Sequence, residues 1–163
     1  MKRLICLLLA CWLCLTGCSV PGEWIKEPVK FYYVQEDYQK DMEQVIGSEI
    51  REASGHRDDL PYLLALYSMG PASEGLKSPF PKNIAIVPTE RTNYSIELTL
   101  SETVSTLSDS EFTLSGTCIA MTCMELLNVQ QVIIHCEERS MVIREDNLML
   151  YNHNHPSSQE ETK

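Results

Sequence analysis

Residues 108–136 constrain the fold more than any other stretch of the chain. Ser108-Asp109-Ser110-Glu111 matches a capping box: the Ser108 hydroxyl accepts from the Glu111 amide while the Glu111 carboxylate reaches back to the Ser108 amide, so a helix starts there. Phe112, Ser115, Ile119, Cys123 and Leu126 then recur at three- or four-residue spacing, and Leu114, Cys118 and Met121 widen the stripe. A helix over 109–127 with so broad an apolar face is heavily buried, and its small residues suit close packing on a sheet. Val129–Cys136 (VQQVIIHC) follows at once and reads as a buried strand of such a sheet.

The rest of the chain supplies partners for that pair. Val29–Gln35 (VKFYYVQ) is β-branched and aromatic and reads as a strand. Glu43–Arg51 is a weaker strand with a bulge or bend expected at Gly47-Ser48, and the two together suggest a hairpin. Asp58–Met69 has acidic residues and Pro61 at its start, Leu60, Leu63, Leu64 and Tyr67 at helical spacing, and Gly70-Pro71 as a stop, which predicts a second helix. Residues 70–81 (GPASEGLKSPFP) hold too many prolines and glycines for regular structure and are expected to form a shaped loop. Asn83–Val87 and Tyr94–Leu100 read as strands around a turn at 88–93, and Met141–Ile143 with Leu148–Tyr151 as one more strand or a terminal extension. The order β-β-α-β-β-α-β predicts one α+β domain over 29–151, with two helices packed on one face of a mostly antiparallel sheet. A polar, disordered tail is expected over 152–163.

The first seventeen residues stand apart. Lys2 and Arg3 precede an apolar run from Leu4 to Leu15, too short for the roughly 20 residues a helix needs to cross a bilayer, so 1–17 reads as a targeting segment. Leu15-Thr16-Gly17-Cys18 resembles a bacterial lipobox, in which the cysteine receives diacylglycerol before the leader is cut away. That resemblance implies that Cys18 becomes a lipidated first residue and that the membrane is a partner through this lipid. Two acyl chains suffice for stable anchoring. Residues 18–28 then form a short tether with Pro21, Gly22 and Pro28, and the stretch from Cys18 to Val29 spans at most about 40 Å. The expected location is the extracytoplasmic face of a cell membrane.

The 163-residue chain carries a formal charge of −10, and without its leader, which holds two basic residues and no acidic one, about −12. Such a surface repels nucleic-acid phosphates and anionic headgroups, and no basic stripe in the sequence offsets it. Nucleic-acid binding is not expected. Four of seven cysteines lie in or at the end of the leader, leaving Cys118, Cys123 and Cys136 in the body, an odd number that argues against a disulfide framework. Cys118 and Cys123 are about 140° apart on a helix and cannot bridge. A Cys118–Cys136 bridge between helix and strand stays open.

Leu66–Pro71, then Gly75-Leu76, Ser78-Pro79 and Phe80-Pro81, with Leu98-Thr99-Leu100-Ser101 after a strand pair, resemble the GerM-type (GerMN) sporulation and germination lipoprotein domain over roughly residues 29–136. The acidic residue of that family's Asp-Leu-Ser element is replaced by Thr99, with Glu97 two positions early. The resemblance implies a domain related to the ring-building modules of envelope-spanning assemblies, acting by self-association or with an envelope protein partner in spore formation or germination. On this reading Gly70, Pro71, Gly75, Leu76, Pro79, Phe80 and Pro81 are the candidate contact residues. The alternative is a lipoprotein module that binds a small molecule or cell-wall fragment.

Catalytic readings find less support. His135 and Cys136 are strand neighbours whose side chains diverge, so they do not form a thiol–imidazole pair. His153-x-His155, with His135 as a third ligand, lacks the convergence a metal needs. Glu36-Asp37, Asp58-Asp59 and Glu137-Glu138 fall at loops and helix starts, where solvation and capping explain them. No catalytic residue, metal or cofactor is expected, and the chain reads as a non-enzyme. Cys18→Ala should leave the precursor uncleaved or released without changing the fold, since the residue lies outside the core. Mass analysis of the amino-terminal peptide and membrane fractionation check this, and a variant still processed and membrane-bound would refute the lipobox.

Overall fold

The computed structural model describes residues 27–37 and 45–148. The expected leader, Cys18, most of the tether and the tail, with His153 and His155, lie outside the described residues. The strands are β1 (Pro28–Gln35), β2 (Ile46–Glu52), β3 (Leu76–Lys77), β4 (Ile86–Arg91), β5 (Ser95–Leu100), β6 (Gln131–Cys136) and β7 (Arg139–Arg144). Helix α1 spans Leu60–Ser68 and α2 Asp109–Leu127, with a 3₁₀ turn over Glu102–Thr106.

The α+β class holds, but the strands divide into two sheets rather than one. The first is antiparallel with order β2-β1-β3, and the second has order β4-β5-β6-β7. Within the second sheet β5 and β6 run parallel, because the chain crosses over through α2 between them, while the outer pairs are antiparallel. Helix α2 packs on β1 of the first sheet and on β6 and β7 of the second. That double contact explains why Phe112, Ser115, Gly116, Cys118, Ile119, Ala120, Thr122 and Cys123 are all buried, covering more of the helix than one apolar stripe would.

Local chemistry sets the helix ends. The capping box is present as expected, with Glu111 N–H on Ser108 Oγ at 3.3 Å and Ser108 N–H on Glu111 Oε2 at 3.0 Å. Asn128 closes α2 in the left-handed region at φ 54°. Helix α1 begins when Asp59 Oδ1 accepts from Tyr62 N–H at 3.1 Å, with Pro61 in the first turn, and stops at Gly70, whose φ of +88° suits glycine.

Four expectations shift in detail. The β1–β2 register runs unbroken from Pro28↔Glu52 to Val34↔Ile46, so Gly47-Ser48 makes no bulge. A Cβ at Gly47 would lie 2.6 Å from Leu76 Cδ2, so a larger residue there would push the Leu76 side chain aside. The strand expected at 83–87 starts at Ile86 and continues to Arg91, and Pro88 is tolerated because β4 is an edge strand with a register shift between Pro88 and Glu90. The loop at 70–81 contains the two-residue β3, paired with Val34 and Gln35. The last strand is Arg139–Arg144, joined to β6 by a tight hairpin with Glu137 at φ 52°.

Strand β1 is the element around which both helices are organised. Its edge away from β2 is covered by β3 only at Val34 and Gln35. At Tyr32, further up that edge, the backbone N–H donates to Thr122 Oγ1 of α2 at 3.0 Å, and the carbonyl accepts from the Tyr67 hydroxyl of α1 at 2.9 Å. Tyr33 returns the contact by donating to the Tyr67 carbonyl at 3.2 Å, and the two rings stack with centroids 4.9 Å apart. A buried stack of this kind contributes about 0.5–1.5 kcal/mol beyond its area. Phe31 and Phe80 complete the aromatic cluster around Tyr67.

Thr122→Val keeps the shape of the side chain but leaves the Tyr32 N–H without its partner in a part-buried interface. It should lower unfolding free energy by about 1–3 kcal/mol, while Thr122→Ser retains most of it. Denaturant midpoints of the two variants check this, and equal stability would contradict the edge-sealing role.

Candidate functional site

The loop from Met69 to Pro81 is the segment that sequence reasoning selected, and it is held at many points. Glu49 and Arg51 of β2 share one face of their strand, and both turn inward. The Glu49 carboxylate, 3% exposed, accepts from Ala72 N–H at 3.0 Å and Ser73 N–H at 2.8 Å, and lies 3.6 Å from Arg51 Nε. Arg51 donates in turn to the carbonyls of Leu66 at 3.1 Å and Gly70 at 3.2 Å. A carboxylate thus gathers the free amides of the loop while a guanidinium gathers the free carbonyls at the end of α1.

Farther along, Glu36 N–H donates to the Gly75 carbonyl at 2.9 Å, and Leu76 and Lys77 pair with β1. Ser78 Oγ accepts from Phe80 N–H at 3.2 Å, and the Ser115 hydroxyl of α2 donates to the Pro79 carbonyl. Gly70 and Phe80 are buried, so they shape the loop from inside. Pro71, Leu76, Pro79 and Pro81 are half-buried, whereas Ala72, Ser73, Glu74 and Gly75 face solvent. The candidate contact residues therefore divide into a buried frame and a presented tip. Sequence reasoning missed Glu49 and Arg51. Their signal was the Glu-x-Arg spacing within a strand, which places two opposite charges on one face with Ile50, 59% exposed, on the other.

The reactive side chains fall elsewhere. Cys118, Cys123 and Cys136 are buried and free, so the open Cys118–Cys136 bridge is not formed. Burial pushes the Cys118 and Cys123 thiols up to about 12, from an ordinary 9.0, and raises Cys136 as well. Such thiols are inert in the folded state. His135 Nε2 lies 2.9 Å from Glu97 Oε1 on the open face of the second sheet. Thr99 and Ser140 sit opposite His135 in the register, whereas Glu97 is paired with Ile133 and reaches His135 diagonally. Among the described residues no three His, Cys, Asp or Glu side chains converge as metal ligands. No described helix is long and apolar enough to cross a membrane.

No protein-family model and no curated protein matches the chain. Among solved structures it is similar to a 2.5 Å crystal structure of a Clostridium perfringens protein provisionally named a lipoprotein. The two share 14% identity at a TM-score of 0.45, over 74% of this chain and 89% of that one.

Glu49→Leu should free the Ala72 and Ser73 amides and leave Arg51 without its carboxylate, costing about 3 kcal/mol or more. Amide exchange over 70–77 should accelerate well beyond that of β5 and β6. Unchanged exchange in this loop would show that β3 and the Ser115 bond hold it alone.

Proposed function

We propose that this chain is a lipoprotein held by Cys18 at the extracytoplasmic face of a cell membrane, and that its α+β domain works by association rather than catalysis. The partner is an envelope protein or further copies of the same domain, in spore formation or germination, in keeping with the GerM-type resemblance of Gly75–Pro81. The observation that carries this reading is the pre-set Met69–Pro81 loop. Its frame is fastened by Glu49, Arg51, Ser115 and β1, while Ala72–Gly75 stay exposed. A tip ordered during folding loses little conformational entropy on docking, so modest contact area yields useful affinity.

Glu74 is the charged residue of that tip, and its side chain is exposed with no hydrogen bond or ion pair to another described residue. Glu74→Arg should leave the unfolding temperature unchanged and lower association several-fold. Chemical cross-linking of the acylated protein, in vesicles at graded density and in its native cells, reads this out. A wild-type chain that yields no cross-linked species in either setting would overturn the association reading. Turnover of purified cell wall by the protein would overturn the non-enzymatic one.

A further inference from the structure

The domain end where the chain enters carries a feature that its overall charge conceals. The Glu27 carbonyl accepts from Ala53 N–H at 3.1 Å, its carboxylate accepts from Gly55 N–H at 2.8 Å, and Arg57 donates to the Pro28 carbonyl. Segment 53–57 therefore brackets the first described residues. Beside it opens a cavity of about 130 Å³. Leu60 and Leu63 of α1, Leu126 and Leu127 of α2, and Arg57 and Arg91 line it. Asp58 also lines it, leaving one net positive charge. Arg57 commits a single donor to Pro28, and no described residue pairs with the Arg91 side chain. Tyr94, in the turn just beyond Arg91, is 51% exposed.

A guanidinium binds phosphate oxygens through parallel N–H donors, and leucine walls suit the ester carbons next to a phosphodiester. A recess of this size admits the phosphate rather than a whole lipid. Tyrosine is favoured at the level of bilayer headgroups, where its ring and hydroxyl meet different media. The chain enters the domain at this same end, and on the Cys18 reading at most about 40 Å of chain separates Cys18 from Val29, which keeps this end within reach of the bilayer. We propose that the Arg57–Arg91 recess takes the headgroup phosphate of a phospholipid in the anchoring membrane and so fixes which side of the domain faces the bilayer. This revises the sequence expectation that the acidic chain only repels headgroups. The source of the phosphate rests on the Cys18 anchor, whereas the chemistry of the recess does not.

The test compares amide exchange of the acylated full-length protein on phosphatidylglycerol vesicles and on phosphate-free galactolipid vesicles. Exchange over 54–58 and 91–95 should slow several-fold on phosphatidylglycerol alone, and Arg91→Gln should remove that protection while β5 and β6 stay unchanged. Arg57→Gln should act likewise, but Arg91 is the decisive variant because its side chain has no partner among the described residues to lose. Equal exchange on the two lipids, or protection that survives Arg91→Gln, would overturn the proposal. Inorganic phosphate that alone reproduces the protection on galactolipid would mark a free-ion site and overturn the lipid assignment. If the amino-terminal peptide has the mass of an unmodified cysteine, the anchor reading fails. Titration of the full chain with dihexanoyl phosphatidylglycerol then decides the recess: Arg91-dependent protection upholds it and none overturns it.

Discussion

The backbone of Tyr32 is where the two helices and the first sheet are joined. An exposed strand edge presents amides and carbonyls that must find partners, and β3 is too short to supply them along β1. Thr122 meets the N–H and Tyr67 meets the carbonyl, so one residue of β1 is held by a side chain from each helix. Thr122 can accept there because its own proton goes to the Cys118 carbonyl at 2.9 Å. The stacked pair Tyr33–Tyr67 then sets how α1 lies against the first sheet.

With β1 sealed in this way, α2 is fixed between the two sheets. Gly116 lets it approach β7, since a Cβ there would run into the Met141 side chain. At its N-terminus Arg139 of β7 donates to the Leu107 carbonyl at 2.8 Å, pairs with Asp109 at 3.0 Å and lies 4.0 Å from the Phe112 ring centroid. The helix is thereby held at both ends and in the middle, and Ser115 extends the hold to the Met69–Pro81 loop. The presented tip at Ala72–Gly75 is thus a consequence of core packing.

Much of this was legible in the sequence. The capping box at Ser108–Glu111, the α2 stripe, the α1 stop at Gly70 and strands β1, β5 and β6 all follow from signals spanning a few residues, and each lies within two or three residues of its expected place. The strand at 83–87 slipped because Pro88 reads as a turn unless the strand is known to lie at an edge. Glu49 and Arg51 were illegible as core groups because charge normally marks the solvent face, and only the orphan amides and carbonyls of a distant loop reverse that rule. Of the candidate contact residues, spacing alone could not separate Gly70 and Phe80, which are inside, from Gly75, which is outside.

The sequence by itself determined the element types and the α+β class, because periodicity and capping are local properties. Tertiary structure alone decided the division into two sheets, the parallel β5–β6 pairing and the inward turn of Glu49 and Arg51. It also brought Arg57 and Arg91 together beside the chain entry, within an acidic protein. These depend on which distant backbone groups and charges become neighbours, and that is settled only when α2 packs against both sheets at once.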